Sequence, residues 1–151
     1  DSPLGEMPQY SDAIEGQSQT IARSFENAPP MIPHRVGDRL IISGKDNDCL
    51  LCHLPEKAKG VNATPIPSSH FTNFRPEIVE KDGKYELYPD GVQVVAHDLD
   101  NLNMAMYNCN QCHVPQANVT VEIENLFTPE FRKTNSKSKS NLKEVMKEGV
   151  Q

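Results

Sequence analysis

Four cysteines and five histidines carry most of the chemical information in this chain. Cys49 and Cys52 form one C-x-x-C pair, and Cys109 and Cys112 form a second. Each pair is followed directly by a histidine, His53 and His113. Two thiols three residues apart lie on one side of a helical turn, with the next histidine one full turn from the first thiol. That spacing suits covalent c-type haem attachment: both thiols form thioether bonds, and the adjacent imidazole reaches the iron. A single five-residue match arises by chance. Two complete matches that consume every cysteine are a specific signal, and they predict two covalently bound haems c. The shared pattern C-x-x-C-H-apolar-Pro recurs at an offset of 60 residues. We read it as two uses of one chemical device, not as a structural repeat.

Other chemistry also uses paired cysteines. A four-cysteine zinc site is one, but 56 residues separate Cys52 from Cys109, and zinc leaves the histidine after each pair unexplained. Thioredoxin-like thiol exchange needs one motif on a βαβ scaffold, which is absent. Disulfides within each C-x-x-C would be poor staples, because they close so few residues.

Each iron needs a second axial ligand, and three histidines remain. His34 ends the rigid run Pro29-Pro-Met-Ile-Pro33, which can present an imidazole at little entropic cost. His70 sits beside Phe71 and Phe74, which can pack on a porphyrin face. His97 adjoins Asp98 and reads as a surface or capping residue. Met31, Met104 and Met106 are alternative ligands, and methionine would raise the reduction potential relative to a histidine pair.

Composition points the same way. The 151 residues are 36% hydrophobic and 6% aromatic, with no Trp and 12 Pro, and the mean hydropathy is −0.59. That is thin material for a self-sufficient apolar core. Two porphyrins would supply the middle, lined by Leu50, Leu51, Leu54, Phe71, Phe74 and Met106 among others, and the haem-free chain should be largely unfolded. So little chain must hold the haems close together, which suits electron relay. No apolar run approaches the length of a transmembrane helix. The net charge of −6 argues against a general nucleic-acid binder.

The elements that must position these residues are short. Residues 1–33 read as an extended N-terminal arm punctuated by prolines, with a weak helical stripe through Ile14, Ile21, Ala22 and Phe25. Residues 34–116 hold both motifs and every histidine, and form the predicted core. Asp46 or Asp48 can cap a short helix carrying Cys49–His53, and Asp98 or Asp100 can cap a second that runs to His113. Lys84–Tyr88 and Val92–Val95 flank Pro89-Asp90-Gly91 and predict a hairpin. Residues 117–151 form a C-terminal arm and tail, with strand-like alternation at Val119, Val121 and Ile123. Residues 1–131 hold 9 basic and 19 acidic side chains, a net of −10, whereas residues 132–151 hold 6 and 2, a net of +4. The tail is therefore either a distinct charged surface or a solvated end.

The ordered features resemble the small dihaem cytochrome c subunits of periplasmic nitrate reductase. They are Pro29-Pro-x-Ile-Pro-His34, Cys49-Leu-Leu-Cys52-His53, Pro67-x-Ser-His70-Phe, Arg75-Pro76 and Tyr107-Asn-Cys109-Asn-Gln-Cys112-His113-Val-Pro-Gln116. The resemblance covers about residues 29–118. It implies a mainly irregular fold with a few short α-helices, two closely stacked haems and extended terminal arms that embrace a large subunit. It implies bis-histidine ligation of both irons, with His34 and His53 on the first haem and His70 and His113 on the second. It implies a molybdopterin- and iron–sulfur-containing catalytic partner and a membrane-anchored multihaem quinol dehydrogenase as electron donor. The basic tail has no clear counterpart in that family.

The resulting expectation is a non-catalytic, periplasmic electron-transfer subunit that relays electrons towards nitrate reduction. The start at Asp1, without an initiating Met, fits a mature form whose signal has been removed, or simply a segment boundary. Two other readings stand beside it: a small dihaem reductase or peroxidase-like enzyme with one open iron, and a zinc-binding interaction module. The acidic body, made more so by haem propionates, should steer basic patches on redox partners and weaken association as salt rises.

Overall fold

A computed structural model of the chain describes residues 9–40, 42–88, 96–119 and 122–148. Regular structure within them is sparse, as the prolines dictate. Helix α1 spans Cys49–His53, α2 spans Pro55–Ala58 and α3 spans Leu142–Val145. Pro55 ends α1 and occupies the first position of α2, where its missing N–H costs nothing. Short 3-10 turns lie at Gly37–Leu40, Lys59–Val61, Ser68–Phe71, Met104–Met106, Cys109–Gln111 and Thr134–Lys137. Two antiparallel strand pairs complete the inventory: β1 (Thr72–Asn73) with β4 (His97–Asp98), and β2 (Glu77–Lys81) with β3 (Lys84–Tyr88). This mostly irregular architecture agrees with the fold class expected from the sequence.

Several local expectations are corrected. Lys84–Tyr88 pairs with the preceding Glu77–Lys81, not with the residues after it. The turn is Asp82-Gly83, with φ of 53° and 77°, and such a doubly positive two-residue loop matches the twist of paired strands. Residues 89–95, including Pro89-Asp90-Gly91 and Val95, lie outside the described residues. The second motif is not on one long helix: Met104–Met106 and Cys109–Gln111 are separate turns. Asn103 caps the first of them through the amide of Ala105 at 3.0 Å, the role expected of Asp98 or Asp100. The stripe at Ile14–Phe25 is not helical; Gly16 turns the chain at φ 76°, and Ile14 and Phe25 are exposed. Val119 and Ile123 lie in irregular chain.

The arm lies along the body. Tyr10 bridges Ala117 and Ile32 bridges Pro115. Ser11 Oγ donates to Pro33 O at 2.8 Å, and Asn62 Nδ2 donates to Gly16 O at 2.9 Å. Glu15 pairs with both Arg35 and Arg39. The basic tail also folds back: Arg23 N donates to Lys137 O at 3.2 Å, and Asn27 Nδ2 donates to Asn141 Oδ1 at 2.6 Å.

Side chains alone build almost no apolar centre. Among the described residues the buried hydrophobics are Ala28 and Ala58, and the other buried residues are Ser69, Thr72 and Ser136.

Two outcomes follow. At Gly16 an added Cβ would adopt a left-handed backbone and meet Val61 O at 3.3 Å. Gly16→Ala should therefore cost about 1–2 kcal/mol and lower the melting temperature of the holoprotein by about 3–8 °C. Gly44→Ala, with open space around it, should leave the melting temperature unchanged. The hydrogen bond from Arg39 holds the Glu15 carboxyl down at about 2. A depressed carboxyl stabilises the fold above its ordinary range and loses that contribution as pH falls through its folded value. The protection factor of the Arg35 amide should hold from pH 7 to about pH 5 and fall progressively from there towards pH 2; Glu15→Gln should show the lowered protection already at pH 7.

Candidate functional site

The two motifs meet through their first cysteines. None of the four cysteines is paired in a disulfide; Cys49 and Cys109 are half-buried, and Cys52 and Cys112 are exposed. Cys49 and Cys109 are electrostatically coupled neighbours: each is the largest influence on the other, pushing the Cys49 thiol up and the Cys109 thiol down.

Asn47 ties the motifs together. Its Oδ1 accepts from the amide of Cys49 at 3.2 Å, so it caps α1 in place of Asp46 or Asp48. Its Nδ2 donates to Tyr107 O at 2.8 Å and to Cys109 Sγ at 3.5 Å. Asp48 holds the N-cap position but makes no side-chain cap.

The histidines assemble in two pairs. His34 and His53 have ring centres 6.2 Å apart and planes within 17°. His70 and His113 have ring centres 6.3 Å apart with planes tilted by 30°. Each pair joins a motif histidine to one remote in sequence. His97 is exposed on β4 and belongs to neither.

Backbone geometry delivers each ring. His53 is the last residue of α1, and Ile66 N donates to its carbonyl at 2.9 Å. His113 closes a turn onto Cys109 O at 2.9 Å. His70 lies in the 3-10 turn Ser68–Phe71, and its carbonyl accepts from Asn103 N at 2.8 Å. His34 follows Pro33 directly after Ile32, whose amide donates to Val114 O at 2.8 Å. The segment from Pro30 to His34 therefore touches both pairs: His34 meets His53, and Pro30 O receives His113.

The hydrogen bonds settle which ring nitrogen is left for a metal. His34 Nδ1 lies 2.8 Å from Arg35 O, His53 Nδ1 2.7 Å from Thr64 O, and His113 Nδ1 2.8 Å from Pro30 O. A carbonyl only accepts, so each Nδ1 carries the proton and each Nε2 keeps its lone pair. This is the outer-shell pattern of metal-ligating histidines. His70 Nδ1 instead contacts Ser69 Oγ at 3.3 Å. Burial, then His113 and Arg23, lower the pKa of His70 and favour its neutral, ligating form.

The residues fit a haem at each pair. A metal–nitrogen bond of about 2 Å on each side, plus about 1.1 Å from nitrogen to ring centre, separates two axial imidazole centres by about 6.2 Å. Among the described residues, no three His, Cys, Asp or Glu side chains converge. Imidazoles in twos suit a porphyrin, whose own nitrogens complete the coordination. Arg23 Nε is buried without a hydrogen-bond partner, a donor that suits an acidic group such as a propionate.

Sequence reasoning missed Asn47, Asn103, Thr72 and Arg23. An Asn whose side chain can accept from the amide two residues on is a readable Asx signal, and it applies to both Asn47 and Asn103. Thr72 and Arg23 act through tertiary contacts with no local signature.

Comparison with known proteins follows the same line. The chain matches the family of nitrate reductase cytochrome c-type subunits (NapB) over residues 5–85 and 92–129. It is 44% identical over 143 residues to the periplasmic nitrate reductase electron transfer subunit of Wolinella succinogenes, covering 94% of this chain and 67% of that protein. It is 33% identical over 127 residues to the subunit of the same name from Shewanella oneidensis, covering 83% and 68%. The Escherichia coli K12 protein of that name is 31% identical over 132 residues, covering 83% and 74%. Two motifs at haem-attachment spacing, imidazoles in pairs and this match over most of the sequence agree: the chain belongs to the family of cytochrome c-type subunits of nitrate reductase.

Proposed function

We propose that this chain is the electron-transfer subunit of a periplasmic nitrate reductase, carrying two covalently bound haems c and no substrate site of its own. The observation that carries the reading is the meeting of each motif histidine with a remote histidine, at 6.2 Å and 6.3 Å. Cys49 and Cys52 would hold the first haem, with His53 and His34 as axial ligands. Cys109 and Cys112 would hold the second, with His113 and His70. Residues 34–116 are then a dihaem core, and residues 1–33 and 117–151 its arms.

Each haem supplies a one-electron iron couple. The chain's residues determine what that couple can do. The paired imidazoles would fill the coordination of each iron and leave nitrate no place to bind, so its reduction to nitrite would belong to a partner. The carbonyls of Arg35, Thr64 and Pro30 fix three rings in the ligating tautomer, which keeps the coordination geometry constant while an electron passes. The contact between Cys49 and Cys109 and the bridge through Asn47 favour closely stacked haems. Electrons would arrive from a membrane-anchored multihaem quinol dehydrogenase and leave to a molybdopterin- and iron–sulfur-containing catalytic subunit. No helix among the described residues is long and apolar enough to cross a membrane.

Relay and catalysis separate in one experiment. The reduced holoprotein should stay reduced when nitrate alone is added and should reoxidise when nitrate and the catalytic subunit are added together. Reoxidation by nitrate alone would contradict the reading. The ligand assignment has its own test. His34→Ala and His70→Ala should each convert one haem, and a different one, from six- to five-coordinate. Each should shift that haem's potential by on the order of 0.1 V, within the ~0.8 V that axial ligands span. Spectra and potentials untouched by either change would end the assignment.

A further inference from the structure

The basic tail lies beyond the family match, which ends at residue 129, and the family resemblance gives it no role. Its placement does. Residues 134–145 return to the side of the molecule that carries His70, and α3 lies against the 3-10 turn Ser68–Phe71.

That turn is held by non-covalent contacts with its neighbours. His113 adjoins Cys112, a haem-attachment cysteine, so its ring is tethered through the chain. His70 has no cysteine beside it and depends on non-covalent contacts. His70 N donates to Pro67 O at 3.0 Å. The loop from His97 to Asn103 wraps the turn: Leu99 N donates to Phe71 O at 2.8 Å, Asn103 N donates to His70 O at 2.8 Å, and Asn103 Nδ2 donates to Thr72 O at 3.1 Å.

Asp98 links this loop to the tail. The single hydroxyl proton of Thr72, a fully buried residue, is shared between Ser68 O at 2.9 Å and Asp98 Oδ1 at 3.1 Å. Lys143 Nζ meets the same carboxylate at 2.6 Å and 2.8 Å from its two oxygens. Lys143 is largely covered, unlike a typical solvated lysine. The tail in turn is anchored twice to the arm. Asn27 Oδ1 accepts from Ser140 Oγ at 3.1 Å and from Asn141 N at 3.0 Å, and Asn141 Nδ2 donates to Glu26 Oε1 at 3.0 Å. Arg132 pairs with Glu26 and Glu148, and Ser136 is buried.

We propose that residues 132–148 are an internal brace that locks His70 in place, through Lys143, Asp98 and Thr72, and so keeps an exogenous ligand from displacing it. Lys143, Asp98 and Thr72 are positioning residues; they act on the iron only through the turn that carries His70. The inference rests on the ligand assignment proposed above, and its test separates the two.

The probe is carbon monoxide added to the reduced holoprotein, with the two haems resolved by their potentials. His70→Ala identifies the haem concerned by opening it to the gas. In Lys143→Met the same haem should bind carbon monoxide about two- to fivefold faster than in the unaltered protein. The effect is modest because the exposed Asp98 side of the pair is screened. Asn141→Ala combined with Lys143→Met should raise this to about tenfold, because the clasp on Asn27 goes as well. Lys143→Arg should restore the unaltered rate, and the His34 haem should not respond in any of these variants. Removal of residues 132–151 should reproduce the double variant; if that shortened chain does not fold, the point variants decide. Unchanged kinetics in Lys143→Met and in the double variant would overturn the brace, as would equal acceleration at both haems. If His70→Ala itself opened neither haem, the ligand assignment would fall, not the brace alone.

Discussion

Four imidazoles have to be held in two pairs by a chain whose described residues bury hardly any apolar side chain. The rest of the structure is organised around that constraint. Two of the rings come cheaply, because His53 and His113 each follow a C-x-x-C pair. The other two must be brought from 19 residues before one motif histidine and 43 before the other, with no covalent anchor at the point of arrival. Proline rigidity delivers His34, and a turn stapled by Asn103 and Thr72 delivers His70.

The two centres are not independent. Pro29–His34 passes between them, giving His34 to one pair and the Pro30 carbonyl to the other. Asn47 reaches from the start of α1 to Tyr107 and Cys109. These polar links do work that apolar packing does in a larger domain, and the buried hydroxyls of Ser69, Thr72 and Ser136 belong to the same economy. Directional hydrogen bonds specify position better than they add net stability. That suits a chain whose cofactors would supply most of the burial and whose task is to hold ligands still.

The chemistry was the most legible part of the sequence. Two copies of C-x-x-C-H point to haem without any structure, and the proline and phenylalanine contexts of the spare histidines single out His34 and His70, the two whose rings lie beside His53 and His113. The coarse fold was legible too, because prolines forbid long elements wherever they fall. What the sequence hid was partner choice at short range. Lys84–Tyr88 reads equally well with either neighbour, and the positive φ of Asp82 decided it. The helix expected before the second motif gave way to two turns once Asn103 and Asn47 made side-chain bonds that compete with helix formation. The fate of the tail was invisible because Lys143 and Asp98 lie 45 residues apart, and nothing in either neighbourhood announces the other.

Two haems, attached through all four cysteines, would fill the middle of this molecule. The most direct measurement is the intact mass of the denatured protein after natural maturation. Denaturation removes anything held by coordination alone, so only thioether-linked groups remain. The account requires a gain equal to two haems. A gain of one haem, or none from cells equipped to attach haem, would contradict it.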